Sequence, residues 1–323
     1  MTLRAIPANP MPEGIHSGYL TAKDGRALRY ARMAASAPHG TAILLQGRNE
    51  AAEKYFETMG DLAKLGFASA TFDWRGQGGS DRLLRNPLAG HVNKFDSYAS
   101  DLDQFFRDVI LPDCRPPYSI LAHSMGGLVA LLASPLLTNR VQRMVLLAPL
   151  LEFKEQMSQN RIRAVSTLWC ALGMGSRFLP GTRSRGQLRD FAGNQATSDS
   201  HRFERNLELA ETYPELTVAG PSASWVRAAC NAMRRVSDPA FMAANRIPIL
   251  FLAAGSDQVV STAAIERYAR RIRSGHCLTI DGAKHELLQE SDIFREQALV
   301  AFKAFVAGGS EKPAPMQEVR ADP

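Results

Sequence analysis

The chain has 323 residues, 45% of them hydrophobic and 22% charged, with 24 glycines and 18 prolines. That is the profile of a globular protein with a large core, built as one large domain with an insertion. The formal net charge of +6 suits anionic surfaces such as phospholipid headgroups, but the basic residues are dispersed, with no stripe interleaved with exposed aromatics, so nucleic acid is not an expected partner.

Cys114, Cys170, Cys230 and Cys277 lie too far apart in sequence for a zinc knuckle or a redox motif, which suits a reducing cytoplasm. Residues 1–16, with prolines and no apolar run, read as an extended segment and not as a secretory signal. Residues 118–137 are nearly uncharged and about as long as a membrane span, yet their His-Ser and Gly-Gly centre predicts a buried strand, a sharp turn and a buried helix.

In chain order, residues 28–34 and 41–45 read as the first strands, alternating and then continuously apolar, as expected from edge to centre of a sheet. A helix follows over 52–65, with Tyr55, Met59 and Leu62 at helical spacing and Gly66 as its stop, then a strand over 67–73. The next helix runs over 96–110, with Asp96 as candidate N-cap and Pro112 just past its end. Strands over 118–124 and 142–149 flank the helix after Ser124, and 247–255 and 276–280 supply two more. Alternating strands and helices with continuous apolar strands predict an α/β fold with a mostly parallel sheet covered on both faces.

Residues 151–236 break that rhythm, contain no convincing strand, and carry twelve basic against eight acidic residues. They are expected to form a helical cap inserted between two parts of the core, 17–150 and 237–307, with a flexible tail over 308–323. Within the cap, Val165, Leu168, Trp169 and Leu172 share a helical face that either packs on the core or lines an acyl-chain path and touches a membrane surface. Arg161, Arg163, Arg183 and Arg185 are candidates for a lipid phosphate and, more simply, for solvated surface.

The chemistry centres on LAHSMGGL, residues 121–128. A small residue two positions either side of Ser124, after an apolar strand and before an apolar helix, suits the strained turn that exposes a nucleophilic serine. A serine hydroxyl needs a histidine to take its proton and a carboxylate to orient that histidine. Asp257, past the strand ending at Ala254, and His285, in the loop after Ile280, follow in the expected order and project from the same sheet edge. Asp281 competes for the acid's place but sits too close to His285 in the loop; His123 should point away from its neighbour Ser124. The backbone N–H groups of Met125 and Arg48 are the candidate oxyanion donors, with an ordinary glycine turn as the alternative for the second loop.

Taken together, QGRNE (46–50), FDWRGQGGS (72–80), AHSMGG (122–127), AAGSDQVVS (253–261), GAKHELLQE (282–290) and YPELTVAGPSASW (213–225) resemble the α/β-hydrolase branch that holds bacterial lysophospholipase L2 and the monoacylglycerol lipases. The resemblance spans about residues 17–307 and implies an α/β-hydrolase fold with a helical cap. It also implies Ser124 as nucleophile, Asp257 as acid, His285 as base, and Arg48 and Met125 as oxyanion donors. Asp73 and Arg75 would brace loops near the site; Gln46 stands where monoacylglycerol lipases usually carry histidine, and Ala122 where glycine is commoner. The expected activity is hydrolysis of a single-chain lipid ester, a lysophospholipid first, with monoacylglycerols, small esters and a non-catalytic relative as alternatives. No metal or organic cofactor is called for, and membrane contact would be transient.

Overall fold

The structure, a computed structural model, describes residues 2–35, 39–154, 158–179 and 190–308. Eight strands, β1 (Ile15–Thr21), β2 (Ala27–Met33), β3 (Thr41–Leu45), β4 (Ala68–Phe72), β5 (Tyr118–His123), β6 (Val141–Leu147), β7 (Ile249–Ala254) and β8 (Gly275–Ile280), form one sheet in the order β1-β2-β4-β3-β5-β6-β7-β8. β1 and β2 pair antiparallel with each other and β2 with β4; all other pairs are parallel.

Ten α-helices accompany them among the described residues: α1 (Phe56–Lys64), α2 (Asp96–Phe105), α3 (Leu111–Asp113), α4 (Met125–Leu137), α5 (Gln159–Ala171), α6 (Ser200–Thr212), α7 (Ala223–Val236), α8 (Pro239–Ala244), α9 (Thr262–Arg271) and α10 (Asp292–Ala307). Helices on both sides explain the continuous apolar strands. Side chains alternate across a strand, so Ile43 and Leu45 of β3 enter the cluster shared with α2, α4 and α7, while Ala42 and Leu44 enter the one beneath α1 and α10. β5, Ser124 and α4 occupy 118–137 as the apolar pattern predicts, and none of the described helices is long and apolar enough to cross a membrane.

Three local expectations change. β1 was not anticipated, because as an edge strand it buries only Leu20 and lacks an apolar signature. Asp96 is the first helical residue rather than the cap, its carboxylate turned outward to Arg235, and the helix runs on through a π turn over Phe106–Ile110 into α3, so that Pro112 lies in its last turn. On α5 the packed face carries Ile162, Ser166, Trp169 and Cys170, whereas Leu168 and Leu172 are 58% and 63% exposed, so these two do not pack on the core.

Between β6 and β7 the described chain is helical. α7, capped by the Ser222 hydroxyl, buries Trp225, Ala229, Met233 and Val236 against the body, and α5 lies on α7. α6 is tied down by charge, Arg202 and Arg205 both reaching Glu57 of α1 at 2.6 Å. Arg183, Arg185 and the tail beyond 308 lie outside the described residues.

Candidate active site

β5 delivers Ser124 to the C-terminal edge of the sheet, where its backbone takes φ +49° and ψ −113°, a region that costs a non-glycine residue about 1–3 kcal/mol. The surroundings over-determine this conformation. Ser124 N–H donates to Leu147 O at 3.0 Å, and Ser124 O accepts from the amides of Gly127 and Leu150, each at 3.0 Å. The glycines are required by contact: a Cβ on Gly126 would fall 2.4 Å from Leu45 O, and one on Gly127 2.7 Å from Pro149 Cβ. The methyl of Ala122, by contrast, is fully buried in the core without displacing the turn.

The loops after β7 and β8 bring the other two side chains to the same edge. His285 Nε2 lies 3.0 Å from Ser124 Oγ, and His285 Nδ1 lies 2.7 Å from Asp257 Oδ2. The second oxygen of Asp257 accepts the amides of Val259 at 2.7 Å and Val260 at 2.9 Å. Burial by itself would raise the Asp257 carboxyl, but the hydrogen bond and charge of His285, with those two amides, outweigh it and hold the group below the ordinary carboxylate range. Asp257 is inaccessible to solvent, whereas Asp281 is exposed and takes no part in this chain of contacts.

His123 points away from Ser124, as its adjacent position requires, into a network behind His285. Its Nε2–H donates to the His285 carbonyl at 3.2 Å, its Nδ1 lies 3.2 Å from Glu50 Oε1, and the two imidazole rings lie 4.8 Å apart between centroids. Both ring nitrogens therefore face acceptors. Burial would lower its pKa, yet the charge and hydrogen bond of Glu50 win and raise it above the ordinary imidazole value. Glu50 also receives Lys54 at 2.9 Å and the Tyr55 hydroxyl at 2.6 Å, and Lys54 reaches Glu286 at 2.7 Å. This buried support for the His285 backbone escaped the sequence reading, although QGRNE and GAKHELLQE contain its acids.

The loop after β3 packs onto the turn, with Leu45 and Gln46 carbonyls against Gly126 and Gly47 against the His123 ring. Gln46 is fully buried and braced by its own amide, which donates to Thr71 at 3.2 Å and Asp73 at 3.0 Å. Asp73 further accepts from Arg29, Ala52 and Gly79, while Arg75 donates to Asp101 and Asp24, so the turn after β4 stitches the loops around the site. Arg48 is held by an Nη1–H donated to Ala219 O at 2.7 Å. Met125 is the first residue of α4, directly after Ser124, where the first N–H groups of a helix have no partner within it.

A cavity of about 320 Å³ borders this edge, walled by Arg48, Lys54, Asn194, Thr197, Val259 and Glu286 among others, several of them chain neighbours of Asp257 and His285. Leu168, Trp169 and Leu172 are not part of its wall. Trp169 is half-buried against the core, while Val165, Leu168 and Leu172 face outward with the exposed Arg161 on the same helix. Among the described residues no cluster of histidine, cysteine or carboxylate side chains is arranged to hold a metal, and the four cysteines are unpaired.

A family model described as serine aminopeptidase, S33, matches residues 36–292. Lysophospholipase L2 of Escherichia coli K12 is 33% identical over 294 residues, which cover 88% of this chain and 85% of that protein. A probable lysophospholipase L2 of Haemophilus influenzae is 29% identical over 301 residues, covering 92% and 94%. Among solved structures, a soluble variant of monoglyceride lipase from Saccharomyces cerevisiae in complex with a substrate analog superposes with a TM-score of 0.73 at 17% identity, covering 94% of this chain and 98% of that one. A thermostable carboxyl esterase from Bacillus coagulans gives 0.73 at 15% identity, covering 92% and 99%. At such identities the likeness establishes the α/β-hydrolase fold.

Proposed function

The chain belongs to the serine aminopeptidase, S33, family of α/β-hydrolases, and from that premise we propose that it is a serine hydrolase cleaving the carboxylic ester of a single-chain lipid, with a lysophospholipid as substrate. The observation that carries the chemistry is the relay of 3.0 and 2.7 Å contacts from Ser124 through His285 to Asp257. The lipid assignment is supported by the lysophospholipase L2 relatives, aligned over most of both chains. A peptide with a free amine, which the family's description suggests, would need an acidic anchor facing the site. Glu204, Glu208 and Glu211 of α6 are exposed, and Glu50 and Glu286 are already paired with Lys54.

His285 Nε2 accepts the Ser124 proton as Oγ attacks the ester carbonyl, and the imidazolium that forms is stabilised by Asp257 through Nδ1–H. The amides of Met125 and Arg48 hold the oxyanion; removing one such donor typically costs about 3 kcal/mol of barrier stabilisation. His285 then returns its proton to the departing alcohol, and water deprotonated by the same nitrogen releases the fatty acid from Ser124. The helices described between β6 and β7 would serve as cap, and the outward Val165, Leu168 and Leu172 with Arg161 give α5 a patch for transient contact with a lipid surface.

The test is fatty acid release from lysophosphatidylethanolamine, lysophosphatidylcholine and monoolein in parallel, by the native protein and Ser124→Ala. Release from the lysophospholipids, lost in the variant, supports the reading. Cleavage of monoolein alone moves the assignment to monoacylglycerols, and turnover of only a short p-nitrophenyl ester removes the lipid assignment altogether.

A further inference from the structure

The cations around the site are nearly all occupied. Lys54 is paired with Glu50 and Glu286, Arg202 and Arg205 with Glu57, and Lys284 and Lys154 donate to backbone carbonyls. Arg48, like Lys154 and Lys284, has no carboxylate within ion-pair distance among the described residues, but it carries a five-donor guanidinium for which Ala219 O is the one hydrogen-bond acceptor. The guanidinium sits 5.9 Å over the Trp225 ring and beside Gly90, where a Cβ would come within 3.2 Å of Nη1. Burial depresses its pKa to about 10, so it remains charged at neutral pH.

The guanidinium is half-buried and lines the cavity beside the triad, with most of its five N–H groups making no hydrogen bond to the protein. A guanidinium matches the oxygens of a phosphate as a two-pronged fork. We propose that the Arg48 side chain recognises the headgroup phosphate of the substrate. One loop residue then addresses both ends of the glycerol unit, its amide at the ester oxygen and its guanidinium at the phosphate. The inference rests on the lysophospholipid reading above, and it places the selectivity in the loop after β3 rather than on the cap arginines.

The test uses two ligands that cannot be hydrolysed, dodecylphosphocholine and 1-O-dodecylglycerol, below their micellar concentrations, as inhibitors of p-nitrophenyl butyrate turnover by the native protein and Arg48→Met. The quantity read is the ratio of the two inhibition constants, whatever turnover the variant retains. If that turnover is too slow, the same ligands are titrated calorimetrically after circular dichroism has verified the fold. We expect the phosphate ligand to weaken by about tenfold or more and the uncharged one to stay within about twofold, with Arg48→Lys in between. Equal weakening of both, or of neither, overturns the proposal. Inorganic phosphate inhibiting as strongly as dodecylphosphocholine, with the same dependence on Arg48, overturns the headgroup assignment in favour of a free-phosphate site. Because the reporter is a short ester, a native protein that binds dodecylphosphocholine through Arg48 but cleaves no lysophospholipid sinks the substrate reading and leaves the phosphate site standing.

Discussion

Replacing Asp257 by asparagine isolates the orienting carboxylate, because the structure dictates how the new amide must sit. Oδ1 accepts two backbone N–H groups, from Val259 and Val260, at 2.7 and 2.9 Å. An NH₂ group there would face two donors, so the asparagine oxygen stays with the amides and its NH₂ turns to His285 Nδ1. A donor at that point forces Nδ1 to accept, which moves the imidazole proton to Nε2, the atom 3.0 Å from Ser124 Oγ. The ring then has no lone pair for the serine proton. Such a tautomer reversal with geometry intact costs about 10⁴-fold in kcat in a serine protease triad, or about 5.4 kcal/mol. Steady-state hydrolysis of p-nitrophenyl butyrate, with circular dichroism as a fold control, measures it. A variant within about tenfold of native turnover, above all if Asp281→Asn were the slow one, would show that Asp257 does not set the tautomer of His285.

Other consequences follow from the same geometry. Gly126→Ala should abolish Ser124 reactivity, since its Cβ would meet Leu45 O at 2.4 Å, while Gly60→Ala, with open space in α1, should raise unfolding stability by about 0.5–1 kcal/mol; urea titration of both separates contact from propensity. Arg29 is fully buried between Glu53 and Asp73, so Arg29→Met leaves two uncompensated carboxylates and should cost about 3–5 kcal/mol by urea denaturation. An unchanged midpoint would contradict that. Burial raises the Glu57 carboxyl, but hydrogen bonds from Arg202 and Arg205 and the charge of Arg295 bring it down to about 2, below its ordinary 4.5. A depressed carboxylate stabilises above its unfolded value and loses that contribution as pH falls through the folded one, so the protection factors of the α6 amides, corrected for intrinsic exchange, should fall between about pH 4.5 and 2. Constant protection over that window would count against Glu57 as the tether. If the substrate is a lipid, kcat/KM should rise by roughly fourfold per added methylene until the acyl site is full, and Leu168→Glu with Leu172→Glu should slow hydrolysis of vesicle-bound substrate far more than of a short soluble ester.

What could be read in advance follows from how locally each feature is encoded. The strand, turn and helix around Ser124 declare themselves because every residue of β5 and most of α4 is buried, leaving a continuous apolar run interrupted only where the chain must turn. Asp257 and His285 could be brought to Ser124 because parallel strands deliver their following loops to one edge. β1 stayed hidden because its pairing with β2, not burial, maintains it. On α5 the periodicity showed a shared apolar face but not its phase relative to α7, so Trp169 packs while Leu168 and Leu172 do not. The support behind His285 joins residues 73 and 162 positions apart, and such pairings have no local signature. The sequence raised Arg48 only as a candidate backbone donor; that its half-buried side chain has no acid beside it could emerge only from the packing of Ala219 and Trp225 against it.

The proposed activity requires Ser124 as the nucleophile, activated by His285 and Asp257. Treating the native protein with a fluorophosphonate and locating the adduct by peptide mass spectrometry tests it most directly. We expect one adduct, on the peptide containing Ser124, forming at the rate at which esterase activity disappears and absent from His285→Ala over the same interval. Loss of activity with the label on another residue, or persistent ester hydrolysis in a protein whose Ser124 has been fully modified, would rule out Ser124 as the nucleophile.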